Sequence, residues 1–388
     1  VKRSRDVAGG MSKGIEFLMK KNKIEVLKGF GQVAPGKKVK VTDEKGKMTE
    51  YTAKNIIIAT GARSRQLPNL PQDGKKIIGY RDAMVLKEAP KKMIVVGSGA
   101  IGVEFAYFYN AMGTEVTVVE YMPNIVPVED VDISKQLERS FKKAGIKVLT
   151  NASVEKVDTS GKTCKATVKT KKGEETLEAD IVLSAVGIEA NIEKIGLEDV
   201  GIATDKGRIL VNDYYQTNIP GYYAIGDVIP GPALAHVASA EGIICVEKIS
   251  GMAVEPMDMN NIPGCTYCSP EISSVGYTEK AAIRKMTEFF NNFNRIRGKF
   301  VNYNIDIVEQ PGFPTIVSYI PFENKLVFHI EKINSIHYLQ HMAIYIDSLL
   351  TILLYPEMIK IPDDIVKSKC SETIQQDDDN DNMVITND

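Results

Sequence analysis

Three glycines and one carboxylate have the spacing of a dinucleotide site. Gly97, Gly99 and Gly102 form a G-x-G-x-x-G turn, and Glu120 lies 18 residues after Gly102. Such a turn lets the backbone approach a pyrophosphate, which the free N–H groups at a helix start then bind. A carboxylate at this distance accepts hydrogen bonds from both ribose hydroxyls, and its charge repels a 2′-phosphate. The pattern therefore predicts an NAD site and favours NAD over NADP.

The elements around this turn follow in the required order. The apolar run Met93–Val96 is typical of a buried parallel strand, and a helical stretch then extends to Met112, with Gly113 as its cap. A second strand with alternating apolar residues ends at Glu120. A glycine turn that binds no phosphate is the alternative. Strand, turn, helix, strand and terminal acid in this order favour the nucleotide.

Cys265 and Cys268 form a C-x-x-C pair, which is a second candidate for chemistry. A redox pair of this kind lies at a helix start, whereas Pro263 and Pro270 flank this one in a strand-like stretch. A zinc site needs four ligands, and the sequence shows no second pair. We therefore expect two buried thiols. The histidines of HYLQH, at 337–341, lack the glutamate of a zinc-protease helix, so no metal site is expected.

The composition is that of a globular protein with two or three domains in 388 residues. A net charge of -2 gives no reason to expect nucleic acid or an anionic membrane as a partner. Five cysteines without regular spacing argue against a secreted disulfide scaffold. No signal peptide is visible, and the longest apolar run, 342–355, is too short for a membrane helix. We expect a cytoplasmic protein.

An internal repeat bears on the position of the glycine turn, about ninety residues into the chain. The stretch 38–63 resembles 165–189, because each has two strands joined by a lysine-glycine turn and then an apolar strand that ends in glycine. This indicates one supersecondary unit used twice. The second copy closes a nucleotide domain that opens at Gly97. The turn thus belongs to the second of two such domains, and we expect the opening of the first to lie before residue 1.

The two ends of the sequence differ in character. The first 22 residues have the pattern of a helix, whereas 28 of the 30 glycines lie in residues 1–286 and none follows Gly312. We interpret this as a composition break near Met286. An unrelated tail is expected over 287–388, with a disordered acidic end at 371–388.

Five stretches together resemble the flavin-dependent disulfide oxidoreductases, and among them the dihydrolipoyl dehydrogenases. They are FLMKKNKIEVLKGFG, IIIATGA, MIVVGSGAIGVEFA, YYAIGDVIPGPALAHVASAEG and IPGCTYCSPEISSVGYTEKAA. The resemblance covers residues 1 to about 284. It implies an α/β fold with two linked Rossmann-like FAD/NAD(P)-binding domains, the first incomplete. The implied parts are a partial FAD-binding domain (1–88 and 214–258), an NAD-binding domain (89–213) and the start of an interface domain (259–286).

The resemblance also implies which residues bind cofactors. For NAD they are Gly97, Ser98, Gly99, Ala100, Ile101, Gly102, Val103, Glu104, Glu120, Val154 and Gly187. For FAD they are Gly31, Thr60, Gly61, Ala62, Asp227, Ala233, Leu234, Ala235 and His236. Asp227 is expected to be buried and to accept a hydrogen bond from the flavin ribityl chain. The alternative for Asp227 is an ordinary turn aspartate after a strand.

Family chemistry moves two electrons from dihydrolipoyl groups to a redox disulfide, then to FAD and then to NAD+. The family's partner is the lipoyl domain of 2-oxo acid dehydrogenase complexes, and its members are homodimers. This sequence departs from the family pattern, because no Cys-x4-Cys occurs in it and none of the candidate base histidines, at 329, 337 and 341, precedes a proline. We expect no catalytic residues and no lipoamide activity from this chain alone, and dimerisation is left open.

Two other interpretations remain at this point. One is a non-catalytic NAD-binding protein, in which the cofactor is sensed or supports binding to a partner. The other is a related flavin NADH oxidase or peroxidase. Tight NADH binding without flavin favours the first, whereas KKNKIEVLKGFG and PGCTYCSPEISSVGYTEK favour a dehydrogenase over the second.

Overall fold

The structure is a computed structural model, and it describes residues 1–297 and three later strands. The chain divides into two compact units, Val1–Val275 and Gly276–Asp388. The first unit contains every residue expected to bind a cofactor, so it is described first.

The first ninety residues begin with a helix and continue as short strands. The elements are α1 (Lys2–Lys21), β1 (Phe30–Ala34), β2 (Lys38–Thr42), β3 (Met48–Thr52), β4 (Ile56–Ile58), β5 (Ala62–Ser64), β6 (Ile77–Ile78) and α2 (Tyr80–Ala83). β1, β2 and β3 form an antiparallel sheet in sequence order. The helix expected at the start is confirmed, but none of its residues is buried. Its apolar side chains, including Met11 and Ile15, remain exposed.

The next hundred residues build a five-stranded parallel sheet. The elements are β7 (Lys92–Val96), α3 (Ala100–Ala111), β8 (Glu115–Val119), α4 (Val131–Lys143), β9 (Lys147–Leu149), β10 (Ser153–Asp158), β11 (Cys164–Thr170), β12 (Gly173–Ala179) and β13 (Ile181–Ser184). The sheet order is β6-β13-β7-β8-β9. The central strands are apolar on both faces, as a covered parallel sheet requires, and Val95 is 0% exposed.

The internal repeat is confirmed in the fold. β2, β3 and β4 follow one another as β11, β12 and β13 do: a hairpin and then a strand in parallel pairing. β13 pairs with β7 and β6, whereas β4 pairs with a later strand, β17 (Tyr222–Ala224). In both copies of the repeat, the last strand of the unit therefore pairs in parallel with a strand from elsewhere in the chain.

The remainder of the first unit returns to the strands near its start. Its elements are β14 (Ile188–Ala190), α5 (Leu197–Val200), β15 (Thr204–Asp205), β16 (Arg208–Ile209), β17, α6 (Ala235–Ile249), β18 (Gly264–Thr266) and β19 (Ile272–Ser274). A 3-10 turn, Gly226–Val228, follows β17. Side chains of this segment, such as Leu197 and Tyr222, share a core with Val33 and Ile58.

The expected domain boundaries at 89 and 213 stay predictions, and the buried clusters group some of the residues next to them as follows. Ile77 and Ile78 of β6 pack with the parallel sheet, although they precede residue 89. Ile202 and Ile209 pack with the first strands, although they precede residue 213. The parallel-sheet unit is therefore an insertion between β5 and β14, because the chain leaves the other core after β5 and re-enters it with β14.

A salt-bridged pair of strands joins the two cores. β5 and β14 are antiparallel, and Arg63 of β5 forms ion pairs with Glu189 at 2.9 Å and with Glu193 at 2.7 Å. Hydrogen bonding to Arg63 is the main cause that lowers the pKa of Glu193 to about 2. These side chains are well exposed, so the ion pairs contribute little to stability and mainly fix how the two strands are placed.

The second unit has a helix and a small sheet. They are α7 (Glu279–Arg297), β20 (Asn304–Glu309), β21 (Ile316–Ile320) and β22 (Lys325–Ile330), in the sheet order β20-β22-β21. The expected break near Met286 falls inside α7, since helical periodicity continues across the change in composition. The acidic end at 371–388 and two of the histidines, His337 and His341, lie outside the described residues.

A single substitution in the parallel sheet tests this packing. The Ser184 hydroxyl at the end of β13 is buried and has no hydrogen-bond partner in the described part of the chain. An unsatisfied buried hydroxyl costs roughly 1–3 kcal/mol, so we expect Ser184→Ala to raise the free energy of unfolding by about 1 kcal/mol. Chemical denaturation followed by circular dichroism measures the change.

Thr217→Val is the matched control for this prediction. It removes a hydroxyl that donates to the Tyr222 carbonyl oxygen at 2.9 Å. We expect this variant to lower the free energy of unfolding by about 1 kcal/mol. Equal losses in the two variants would show that Ser184 has a partner after all.

Candidate functional site

Two of the three glycines lie where no side chain fits. Gly97 ends β7 with φ +94°, and a Cβ there would collide with the carbonyl of Ala185. A Cβ on Gly102 would collide with the carbonyl of Gly97. These contacts hold α3 against the end of β7 at backbone distance, as the spacing predicts.

The middle glycine faces open space. No atom lies within 4 Å of the position that a Cβ on Gly99 would take. Gly99 is also the N-cap of α3, where no side chain makes a capping hydrogen bond. The helix therefore presents uncapped N–H groups to an open surface, which is the arrangement that receives a phosphate. The residues present fit a dinucleotide pyrophosphate.

Glu120 is buried at the end of β8, with 6% of its surface exposed. Its Oε2 accepts hydrogen bonds from the backbone N–H of Ser98 at 2.8 Å and from the Ser98 hydroxyl at 2.6 Å. Its Oε1 accepts one from the backbone N–H of Met122 at 2.7 Å. A carboxylate offers about four acceptor positions, so three are used. In this arrangement Glu120 has room for one ribose hydroxyl, whereas the sequence predicted two.

Several residues of the glycine turn do not face a ligand. Ser98 and Val103 are each 0% exposed, and Gly102 is buried. The Ser98 side chain points to Glu120, and Val103 packs in the core beneath α3. The role of these residues in NAD binding therefore stays a prediction, and it rests on their backbone, since the two side chains are buried between α3 and the sheet. Ala100 is exposed, and Ile101 is half-buried.

Glu104 connects α3 to the segment that contains the cysteine pair. Its Oε1 accepts a hydrogen bond from the backbone N–H of Tyr267 at 2.8 Å. Cys268 and Ile272 pack in the same core as α3. Glu104 therefore has a structural partner in addition to any cofactor contact.

Val154 and Gly187 lie on the same unit as the glycine turn. Val154 of β10 is buried, and its carbonyl accepts a hydrogen bond from the Asn69 side chain at 2.6 Å. Gly187 follows β13 with φ +104°, and its exposed backbone accepts one from the N–H of Arg65 at 3.0 Å. Ala185, between β13 and Gly187, is the residue against which Gly97 packs.

The residues expected to hold FAD lie on the other core. Gly31 is exposed on β1, opposite Val41. The Thr60 hydroxyl donates to the carbonyl of Asn191 at 2.6 Å, and the N–H of Asn191 donates to the carbonyl of Gly61 at 2.8 Å. Ala62 is buried at the start of β5. The turn is therefore fixed by the segment after β14.

Asp227 lies in the 3-10 turn after β17. It is half-buried, not buried as expected, and its carboxylate accepts no hydrogen bond from the described residues. Nearby Glu241 is 2% exposed and accepts a hydrogen bond from the N–H of Gly226 at 2.6 Å. Burial, together with the charge of Asp227, raises the pKa of Glu241. Asp227 is thus available to a ligand, whereas Glu241 holds its turn in place.

The expected helix start at 233–236 is confirmed. α6 begins at Ala235 after Leu234, and no side chain caps it. Ala233 and His236 are exposed, and the Nε2 of His236 lies 3.0 Å from the carbonyl of Pro263. An uncapped helix start can supply the N–H groups that a flavin requires.

The sequence analysis missed Glu241 and Asn191. A signal was present for Glu241, because Val237, Glu241 and Cys245 recur at four-residue intervals on the buried face of α6. No local signal marks Asn191, since its partners are more than a hundred residues away in the sequence.

The cysteine pair lies in and after a strand, as predicted. Cys265 of β18 is half-buried, which differs from the expected burial of both thiols, and Cys268 is 4% exposed. Burial, and then the charge of Glu104, raises the pKa of Cys268 to about 11. No group of three or more metal-ligating side chains occurs within the described residues. A redox role needs a thiolate, which this environment suppresses.

Alkylation tests this interpretation. We expect iodoacetamide at about pH 8 to leave Cys268 unmodified in the folded protein, since a thiol with a pKa near 11 is almost wholly protonated there. Labelling should rise only as the pH approaches 11 or when the chain is unfolded. Peptide mass spectrometry measures the modified fraction, and half-buried Cys265 serves as the internal comparison. Rapid labelling of Cys268 at about pH 8 would contradict it.

None of the described helices is long and apolar enough to cross a membrane.

Comparison with known proteins gives consistent results. Residues 2–242 match the family described as pyridine nucleotide-disulphide oxidoreductase. A dihydrolipoyl dehydrogenase of Rhizobium etli is 47% identical over 299 residues, which cover 73% of this chain and 62% of that protein. A mitochondrial dihydrolipoyl dehydrogenase of Pisum sativum is 44% identical over 273 residues, covering 70% of this chain and 54% of that protein.

Solved structures agree with this assignment of the fold. The crystal structure of LpdA from Mycobacterium tuberculosis has a TM-score of 0.69 and 30% identity, and the match covers 73% of this chain and 62% of that one. The HOCl-induced flavoprotein disulfide reductase RclA of Escherichia coli has a TM-score of 0.67 and 25% identity, over 73% and 64% of the two chains. The chain thus spans about 62% of the length of the first curated relative.

Proposed function

This chain belongs to the pyridine nucleotide-disulphide oxidoreductase family, and on that premise we propose that the turn between β7 and α3 binds the pyrophosphate of NAD. The observation that carries the proposal is the open space in front of Gly99 at the uncapped start of α3. Gly97 and Gly102 bring the helix close enough to the strand to form this surface. The N–H groups and the helix dipole then stabilise the negative charge.

The proposed nucleotide is NAD and not NADP. Glu120 accepts one ribose hydroxyl at its remaining acceptor position, and its charge disfavours a 2′-phosphate. Exposed backbone at Gly187 and the buried strand that contains Val154 would border the nicotinamide half. The roles of Ala100, Ile101 and Glu104 in binding stay predictions.

We further propose that the other core holds FAD. The support is the Asp227 carboxylate, which has no hydrogen-bond partner in the described part of the chain and lies in a turn that packs on α6, together with the uncapped start of α6. Gly31 and the turn at 60–62 would border the same cofactor. When bound, FAD supplies two-electron transfer between thiols and the nicotinamide. Asp227 would accept a hydrogen bond from the ribityl chain, and the backbone at 233–236 would donate to the flavin ring.

For the whole protein, the activity that we propose is oxidation of protein-bound dihydrolipoyl groups with reduction of NAD+. We also propose that its partner is the lipoyl domain of 2-oxo acid dehydrogenase complexes. A homodimer and a cytoplasmic location are proposed as well. The 388 residues contain no Cys-x4-Cys pair. We therefore expect the polypeptide itself to bind nucleotide without oxidising lipoamide. Lipoamide-dependent turnover by the purified polypeptide would contradict this expectation.

A non-catalytic NAD-binding protein is the second candidate. The parallel-sheet unit, with its glycine turn and Glu120, favours this candidate because its two buried clusters contain none of the residues proposed for FAD. Flavin content separates the candidates. Release of FAD from the purified protein on denaturation supports the flavoprotein, whereas NADH binding by a colourless protein supports the alternative.

Substitution of the middle glycine tests NAD binding. We expect Gly99→Val to weaken NADH binding at least about 10-fold, because its side chain would occupy the space proposed for the pyrophosphate. The backbone at Gly99 has φ -65°, which valine adopts, so the fold should persist. Fluorescence titration with NADH measures the dissociation constant.

Gly14→Val is the matched control, because a Cβ at Gly14 also meets no atom within 4 Å but lies on α1. Its NADH affinity should equal that of the unmodified chain. If Gly99→Val bound NADH with unchanged affinity, the pyrophosphate would not bind at this turn.

A further inference from the structure

We propose that Ser98 is a positioning residue that sets the choice between NAD and NADP, by fixing the Glu120 carboxylate through its hydroxyl. The inference rests on the proposed NAD site at the β7–α3 turn. It concerns a residue that does not itself face the nucleotide.

The pairing between Ser98 and Glu120 is closed to solvent. Ser98 is 0% exposed and Glu120 is 6% exposed. Both donors of Ser98, its N–H at 2.8 Å and its hydroxyl at 2.6 Å, are directed to the same oxygen, Oε2. A buried hydroxyl of this kind has no water to bond instead, so it holds one oxygen of the carboxylate in a fixed position.

The other oxygen of Glu120 is left for the ligand. Oε1 accepts a hydrogen bond only from the N–H of Met122 among the described residues, at 2.7 Å. One acceptor position therefore remains on Oε1, whereas both acceptor positions of Oε2 are occupied by the Ser98 donors. The two Ser98 donors together leave Oε1 for the ribose, and the hydroxyl makes the shorter of their two bonds.

Ser98 also holds the segment that follows Glu120. Its carbonyl accepts a hydrogen bond from the N–H of Val126 at 3.0 Å. Val126 is buried and has φ +41°, a left-handed conformation that a β-branched residue rarely adopts. Every polar group of Ser98 is thus bonded to the stretch 120–126. Ser98 therefore connects the glycine turn to this stretch, in addition to the hydrogen bond from the Gly97 N–H to the Val119 carbonyl at 2.9 Å.

Loss of the hydroxyl should affect the two nucleotides unequally. Glu120 would keep the Ser98 N–H but lose the shorter of the two bonds, and its carboxylate could rotate away from the ribose. NADH loses a positioned acceptor, whereas for NADPH the same loss is offset because the rotated carboxylate lies farther from the 2′-phosphate. We expect the NADH dissociation constant to rise about 3- to 10-fold and that for NADPH to change less than about 2-fold.

The experiment is a fluorescence titration of the full 388-residue chain with NADH and with NADPH. The variants are Ser98→Ala and Ser98→Cys, the latter because a thiol keeps the volume but donates only weakly. Ser134→Ala is the matched control, since Ser134 is also buried nearby but its hydroxyl lies 3.5 Å from the Val126 carbonyl and not against Glu120. Circular dichroism reports folding in each variant.

The decisive quantity is the ratio of the two dissociation constants. A fall in the preference for NADH of at least about 3-fold in Ser98→Ala and Ser98→Cys, but not in Ser134→Ala, supports the proposal. In a Glu120→Gln background, Ser98→Ala should then change the ratio no further. If the affinities for NADH and NADPH fell equally, Ser98 would have only a structural role, and the proposal would be overturned. Failure of the unmodified chain to bind NADH would overturn the proposed site itself.

Discussion

The close approach of backbone to backbone at the end of β7 is the constraint on which the candidate site depends. Gly97 lies against Ala185, and Gly102 lies against the carbonyl of Gly97. Because neither position tolerates a side chain, α3 packs directly on the sheet and its start lies beside the ends of β7 and β13. The same contact places Ser98 over Glu120. The anion-binding surface and the fixed carboxylate are therefore two results of one packing requirement.

Local sequence predicted the parts of this arrangement that depend on local geometry. The glycine spacing, the apolar strand and the helix cap determine β7, α3 and β8, and each was predicted correctly. The repeat likewise predicted two related halves. The direction of the Ser98 side chain was not predictable, because its partner lies 22 residues away on another strand. The part-exposure of Asp227 depends in the same way on distant packing.

The core that each element joins is harder to predict, for a related reason. The apolar residues between β14 and β17 have the same pattern whichever core receives them. Contacts with distant residues, among them the pairing of β14 with β5 and the ion pairs of Arg63, decide that they join the first strands. Hydrophobic periodicity thus gives the elements, whereas the partner of each element is a property of the whole chain.

The β5–β14 pairing has a topological consequence. Ala62 lies opposite Ala190, and Ser64 lies opposite Ile188, so the chain enters and leaves the parallel-sheet unit through neighbouring strands about 5 Å apart. A unit whose two ends meet in this way is suited to excision or circular permutation with a short linker. The natural cut sites lie after Ser64 and before Ile188, and such an excised piece retains β6, which a cut at residue 89 would remove.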